Sequence, residues 1–311
     1  MDEILTGKQN SESIAAFLGS LSTRGETPDE LAGFIDSLWA QCPRVDLEDQ
    51  DCLDVCGTGG DHSGTFNIST ASGLVLASCG VKVAKHGNRS VSSQSGSADV
   101  LAAMGIPLDK SPDQIIESIE KIGFGFFFAP QFHPVVAKVK DIRKRIGVAT
   151  VFNLLGPLAH PARVKNQLLG VYDGRKARSI AETLRMLGIQ NAMVLHSEDG
   201  LDEFSLCAPT RIIQLKDETL SEFTLTPADF GLEPCELKDL KGGDAQHNAK
   251  ILEDILEGRD QGPKRNIVLA NTALGLVLMN KAHNWKEAFQ KALAAIQSGN
   301  TAQTLLKLRS I

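Results

Sequence analysis

Residues 57–61 read Gly-Thr-Gly-Gly-Asp, and residues 67–70 read Asn-Ile-Ser-Thr. Glycines let backbone N–H groups converge on an anion, and a helix N-terminus adds partial positive charge. The stretch is not a Walker loop, which needs Gly-Lys-Ser/Thr, since no lysine follows until Lys82. The dinucleotide fingerprint GxGxxG fails because His62 stands at its third glycine. Ser69 and Thr70 could cap the helix that follows, bind a phosphate or ligate a metal.

Two further stretches carry chemistry. Lys85-His86-Gly87-Asn88-Arg89-Ser90 mixes a cation, an imidazole and an amide, and Ser92, Ser93, Ser95 and Ser97 follow it. It reads either as a second phosphate cradle or as a solvated loop. Asp202 and Glu203 are adjacent hard-oxygen donors suited to Mg²⁺, against the plainer reading of a surface acidic turn. Phosphate cradles without a Walker lysine, together with metal-ligating carboxylates, suggest a magnesium–diphosphate substrate. In the basic run Lys138, Lys140, Arg143, Lys144 and Arg145, helical spacing lets only one or two side chains face inward, where one could pair with a carboxylate. No GxSxG or HExxH is present, and no Cys–His signature, so a protein nucleophile is not expected.

The elements that position these residues are legible in outline. Residues 11–25 and 27–42 predict amphipathic helices: the first opens on Ser-x-Ser and closes at Gly25. In the second, Thr27 caps, Pro28 occupies the first turn, and Leu31, Phe34, Ile35 and Leu38 share a face. From residue 51 the texture alternates. CLDVC, VKVAKHG, FGFFFAP and NAMVLHS read as strands, and STASGLVLASCG, SGSADVLAAMGI and ARSIAETLRMLGI as helices between them. Such alternation predicts parallel βα units, with ligands at the carboxyl ends of the strands. Two more helices are expected from AQHNAKILEDILEG and EAFQKALAAIQSG. The expected fold is α/β. A small helical domain spans 1–45, joined by helices from about 130–150, and a large domain with a mainly parallel central sheet spans 46–311.

The chain has 311 residues, 42% hydrophobic and 23% charged, which is ordinary globular usage. A net charge of −6 disfavours a nucleic-acid-coating surface without excluding a positive pocket. The six cysteines form no CxxC, which suggests reduced thiols in a cytoplasmic protein. MDEILTGKQN lacks the basic and apolar regions of a secretion signal, and NIVLANTALGLVLMN is too short and too interrupted to cross a bilayer. No nucleic acid or membrane partner is expected.

The motifs GTGGD, FNIST, AKHGNRSVSSQSGSADVL, VFNLLGPLAHPAR and GLDEFS occur in an order and spacing that resemble the anthranilate phosphoribosyltransferase family. The similarity runs from about residue 11 to the C-terminus and includes GGDAQHNA. It implies a nucleoside phosphorylase/phosphoribosyltransferase-like fold and a homodimer formed through the helical part. The reaction it implies is attack by the anthranilate amine on C1 of 5-phosphoribosyl 1-diphosphate, with Mg²⁺ and in tryptophan biosynthesis. By resemblance, Gly57, Gly60, Asp61, Thr65, Asn67, Ser69, Thr70, Lys85 to Ser93 (through Val91 and Ser92) and Ser97 hold the phosphoribosyl diphosphate. Gly57, Asn88 and Arg143 meet anthranilate, with His86 and His133 near its path. Ser69 and Glu203 match ligands of one Mg²⁺, Asp202 and Glu203 those of a second. No general base is implied. The chain departs from the family at His62, Val136 and Ala149. Pyrimidine nucleoside phosphorylases share the fold, but they would leave Asp202 and Glu203 without a task and they lack HGNRS. A non-catalytic nucleic-acid-binding relative would need a basic groove.

Overall fold

The computed structural model describes residues 1–47, 51–61, 63–90 and 94–311; His62, Val91, Ser92 and Ser93 lie outside them. A seven-stranded sheet runs in the order β3-β2-β1-β4-β5-β6-β7. Strands β1 (Cys52–Gly57), β2 (Lys82–Gly87), β3 (Phe124–Phe128), β4 (Asn166–Gly170) and β5 (Asn191–Ser197) pair in parallel. Strands β6 (Thr210–Lys216) and β7 (Thr219–Leu225) close one edge antiparallel.

Neighbouring residues of the central strands feed opposite cores, as a sheet covered on both faces requires. Val55, Leu168, Met193 and Leu195 pack with the helices Ile68–Ser78, Ala245–Leu256, Pro263–Leu278 and Trp285–Gln297. Cys56, Leu169, Ala192 and Val194 pack on the other face with the helix Ala177–Met186. That second core continues through Leu18, Leu31, Ile35 and Leu38 of the N-terminal helices Ser11–Arg24 and Pro28–Ala40. It also takes in Ile142, Val151 and Leu155 from the segment after β3. The apolar tract around Leu269 is the core of Pro263–Leu278, and Gly275 lets this helix pass close to Leu76 and Leu53.

Local chemistry explains the boundaries. Thr27 caps and Pro28 sits in the first turn, as expected, and Glu30 adds the return bond that makes a reciprocal capping box. The helix Ser11–Arg24, which follows the short helix Asp2–Thr6, is capped by Asn10, whose side chain accepts from the Ser13 N–H, and not by a serine. Gly25 closes it at φ +87°. The basic stretch is not one continuous helix. A 3₁₀ segment, Pro134–Val139, leads into the short helix Lys140–Ile146.

Candidate active site

The carboxyl ends of β1, β2 and β4 meet the loop after β5, and the site is built there. Gly57 and Gly170 are in register on adjacent strands, and together they form a notch. A Cβ on Gly57 would lie 2.4 Å from Asp202 Oδ2, and one on Gly170 only 1.4 Å from the Asp202 carbonyl oxygen. The absence of two side chains therefore lets the Asp202 main chain lie across the strand ends. The Gly59 N–H donates to Asp202 Oδ2 at 2.7 Å, and Gly59 and Gly60 both adopt positive φ to turn the loop. From below, Asn271 fixes the carboxylate loop through a reciprocal pair at Phe204, its Oδ1 accepting from the N–H and its Nδ2 donating to the carbonyl, each at 3.0 Å.

Asp61, Asp202 and Glu203 bring carboxylate oxygens within 4.8 Å of one another. Ser69 lines the same small cavity as Asp202, Glu203 and Asn271. Burial and the Asp61 charge push Asp202 up to about 6. Burial and its two acidic neighbours push Glu203 well above the carboxylate range. Three acidic oxygens crowded in this way fit a hard divalent cation such as Mg²⁺. Sequence reasoning placed Asp61 with the substrate loop and did not join it to the other two.

Lys85 is buried, with Nζ donating to the Val55 carbonyl and to Ser69 Oγ at 3.4 Å. Burial lowers its pKa against the pull of Asp54, Glu203 and Asp202. Asp54 is fully buried and ties three strands together, accepting from the His86 N–H at 3.1 Å and from Gln167 Nε2 at 3.0 Å. The signal that could have revealed it was a lone carboxylate in the otherwise apolar CLDVC.

The second loop folds on Asp99. Its Oδ2 accepts from the Ser90 and Gly96 N–H groups, at 2.9 and 3.0 Å, and Oδ1 pairs with Arg89 at 3.0 Å. Gly87 and Gly96 are close-approach positions, because a Cβ would meet Ser97 Oγ at 2.1 Å and the Ser90 nitrogen at 2.4 Å respectively. Asn88 stands exposed at the loop's crest, its carbonyl accepting from the Ala98 N–H. Thr65 and Asn67 are half-buried, and Thr70 Oγ1 is buried without a partner among the described residues.

Below the loop lie three imidazoles. His86 is 5.5 Å from His133 and 5.6 Å from His160, centroid to centroid. Burial drives His86 and His160 down to about 3 and lowers His133, so the rings are neutral. His160 Nδ1 accepts from the Ala162 N–H, so its Nε2 carries the proton and donates to the Ala84 carbonyl at 2.9 Å. His133 Nδ1 lies 2.8 Å from Cys42 Sγ. Arg143, on the helix Lys140–Ile146, is half-buried over the Phe152 ring and donates to Asn153 Oδ1 at 3.3 Å. No ion pair to Arg143 exists among the described residues. All six cysteines are free thiols, and no helix of the described residues is long and apolar enough to cross a membrane.

A helical layer joined to a mainly parallel sheet, with a glycine loop facing clustered carboxylates, defines a class. Residues 1–42 match the glycosyl transferase family, helical bundle domain, and residues 49–302 the glycosyl transferase family, a/b domain. The chain belongs to the anthranilate phosphoribosyltransferase branch of that family. It is 46% identical over 299 residues to the anthranilate phosphoribosyltransferase of Desulfatibacillum aliphaticivorans, covering 96% of this chain and 88% of that one. The crystal structure of anthranilate phosphoribosyltransferase from Thermus thermophilus superposes with a TM-score of 0.93 at 36% identity, covering 99% of this chain and 92% of that chain. The Saccharomyces cerevisiae enzyme in complex with PRPP and Mg superposes at 0.88 and 32% identity, covering 96% and 85%.

Proposed function

We infer that this chain transfers the phosphoribosyl group of 5-phosphoribosyl 1-diphosphate (PRPP) to the amine of anthranilate. The products are N-(5-phosphoribosyl)anthranilate and diphosphate, in tryptophan biosynthesis. The observation that carries this reading is the convergence of Asp61, Asp202 and Glu203 on a glycine loop beside a buried lysine. Relatives of the same name, one of them crystallised with PRPP and Mg, support it.

Asp202, Glu203 and Ser69 are the ligands we assign to Mg²⁺, two ions per subunit. Bound there, Mg²⁺ supplies electrostatic stabilisation of the charge that develops on the departing diphosphate. The chain itself cradles the phosphates with the glycine loop from Gly57 to Asp61, through the N–H groups of Gly60 and Asp61, since those of Thr58 and Gly59 donate to Gly170 and Asp202. Thr65, Asn67, Thr70 and the loop from Lys85 to Ser97 complete the cradle. Lys85 brings a cation close to the developing negative charge. Arg143 is poised to read the anthranilate carboxylate as a bidentate partner. Gly57, Asn88, His86 and His133 complete the acceptor's surroundings, and the family's yeast complex with 4-fluoroanthranilate is consistent with an aromatic site. An aryl amine is already neutral at pH 7, so it needs orientation more than deprotonation. Neutral His86 and His133 are suited to that packing role, and we assign no general base.

We further read residues 1–45 with the helices near 130–150 as a small domain, residues 46–311 as the large one, and the active species as a cytoplasmic homodimer. Exposed Phe17 and Val148 on the helical layer favour association there. The test of the function is the decay of anthranilate fluorescence on adding PRPP. Decay that requires Mg²⁺ and stops with a chelator is expected; decay indifferent to the chelator contradicts the metal assignment, and none at all contradicts the reaction.

A further inference from the structure

A chain of side-chain amides joins the two phosphate loops, and the function above does not use all of it. The Gly243 N–H donates to Asn248 Oδ1 at 2.8 Å, Asn248 Nδ2 donates to Asn67 Oδ1 at 3.1 Å, and Asn67 Nδ2 donates to the Ser95 carbonyl at 3.1 Å. Its two ends leave no ambiguity, since a backbone N–H can only donate and a backbone carbonyl can only accept. The direction of both amides between them is thereby fixed. Asn248 is 2% exposed.

The same segment grips the first loop from behind. Lys241 pairs with Thr65 in an isolated antiparallel bridge, its Nζ donates to the Ser63 carbonyl, and the Gly242 N–H donates to the Gly64 carbonyl at 2.9 Å. Gly242 must lack a side chain, because a Cβ would sit 2.7 Å from the Phe66 nitrogen. Residues 241–248 therefore hold 63–67 by main-chain and side-chain contacts together, and reach the second loop through Asn67.

We propose that Asn248 is a positioning residue for the phosphoribosyl diphosphate site. It takes up the Asn67 oxygen and so turns the Asn67 amide group toward Ser95. The second Asn67 hydrogen, without a partner among the described residues, is then a donor for a phosphate oxygen. The inference rests on residues 57–70 and 85–97 being the phosphate cradle. An amide turned the other way would present an oxygen to an anion, which is repulsive where the proposed arrangement attracts.

The test is Asn248→Asp, near-isosteric and still able to accept from Gly243. At pH 8 its carboxylate offers Asn67 only acceptors, which forces the amide to reverse. The KM for phosphoribosyl diphosphate should rise about tenfold or more, the loss of one hydrogen bond to a charged group. The kcat and the KM for anthranilate should stay within about twofold. If this variant does not fold, Asn248→Leu removes the donor to Asn67 without reversing the amide, which Ser95 alone then holds. A smaller rise in the KM for phosphoribosyl diphosphate, about threefold, is then expected for one lost neutral hydrogen bond, again with kcat and the KM for anthranilate unchanged. An unchanged KM for phosphoribosyl diphosphate overturns the proposal. So does an equal loss in kcat and both KM values alongside a lowered melting temperature, which marks a structural role alone. A wild-type enzyme that shows no saturation by phosphoribosyl diphosphate overturns the cradle reading itself, whereas saturation beside an unaffected variant overturns only Asn248.

Discussion

Glu203 faces two demands that pull apart. Without a cation its carboxylate shares a space of less than 5 Å with those of Asp61 and Asp202, and burial and repulsion raise its pKa. That crowding makes the site receptive to Mg²⁺, and it costs folded stability when the ion is absent. Glu203→Gln removes one of the three charges at nearly constant volume. In divalent-free buffer at pH 7 the variant should unfold at higher denaturant, by about 0.5–2 kcal/mol, the usual gain from a single stabilising substitution. Turnover with Mg²⁺ should fall by about 100-fold or more, the scale seen when one electrostatic partner is lost. A variant that is less stable and fully active would show that the carboxylates do not repel one another or do not serve the metal. Adjacent Asp202 and Glu203 were legible because two hard-oxygen donors side by side on a loop are suited to a metal. Asp61 was not, because only the fold brings its loop over theirs.

At the scale of elements, the site depends on strands that end in glycine. Gly57 and Gly170 leave the notch that Asp202 crosses, so Gly170→Ala should push the carboxylate loop off β4. We expect destabilisation of about 1–3 kcal/mol, as for an overpacked position, together with a loss of activity well beyond what that destabilisation explains. Melting curves and turnover measured on one preparation decide it; an active, wild-type-like Gly170→Ala would mean the loop has slack. The sequence showed the first loop through its dense glycines but hid β4, and the reason is physical. NQLLG begins with two amides that read as polar loop, yet Gln167 serves buried Asp54, and Asn166 bonds Asp51 and Asn191. The β6–β7 hairpin was hidden too. Its turn places Asp217 and Glu218 at positive φ (48° and 60°); aspartate suits the first of these, but glutamate stands where a glycine would have announced the hairpin. Residues 241–248 carried their motif in GGDAQHNA, but nothing local says that Asn248 answers Asn67.

For the whole molecule, two consequences follow from how the layers meet. Arg143 stands among residues that pack with the N-terminal helices, while Asn88 rides the sheet loop after β2. An acceptor held by both bridges the two layers. Arg143→Ala should therefore raise the KM for anthranilate by about 10-fold or more, consistent with losing a charged hydrogen-bonded pair, and change the KM for phosphoribosyl diphosphate much less. Equal losses for both substrates would remove Arg143 from the anthranilate site.

The second consequence concerns acid. His160, between the sheet and the segment before β4, keeps a folded pKa of about 3 against 6.5 for a free ring. A base with a depressed folded pKa is protonated first in the unfolded chain, so its contribution to stability is lost as pH falls below 6.5. The loss is on the order of 1.4 kcal/mol per pH unit. Asp202, raised to about 6, acts with the opposite sign and flattens the wild-type profile. The difference between wild type and His160→Gln isolates the ring. Between pH 7 and pH 5 the wild type should lose about 2 kcal/mol more than the variant in denaturant unfolding, and identical pH dependence would contradict a neutral, buried His160.

The most direct test of the whole account is where a divalent ion sits when the phosphoribosyl donor is bound. Crystals grown with phosphoribosyl diphosphate and Mn²⁺ in place of Mg²⁺ should show anomalous density coordinated by Asp202 and Glu203, with diphosphate oxygens bridging to the loop from Gly57 to Asp61. A donor bound elsewhere, or an ion that avoids both carboxylates, would contradict the account at its centre.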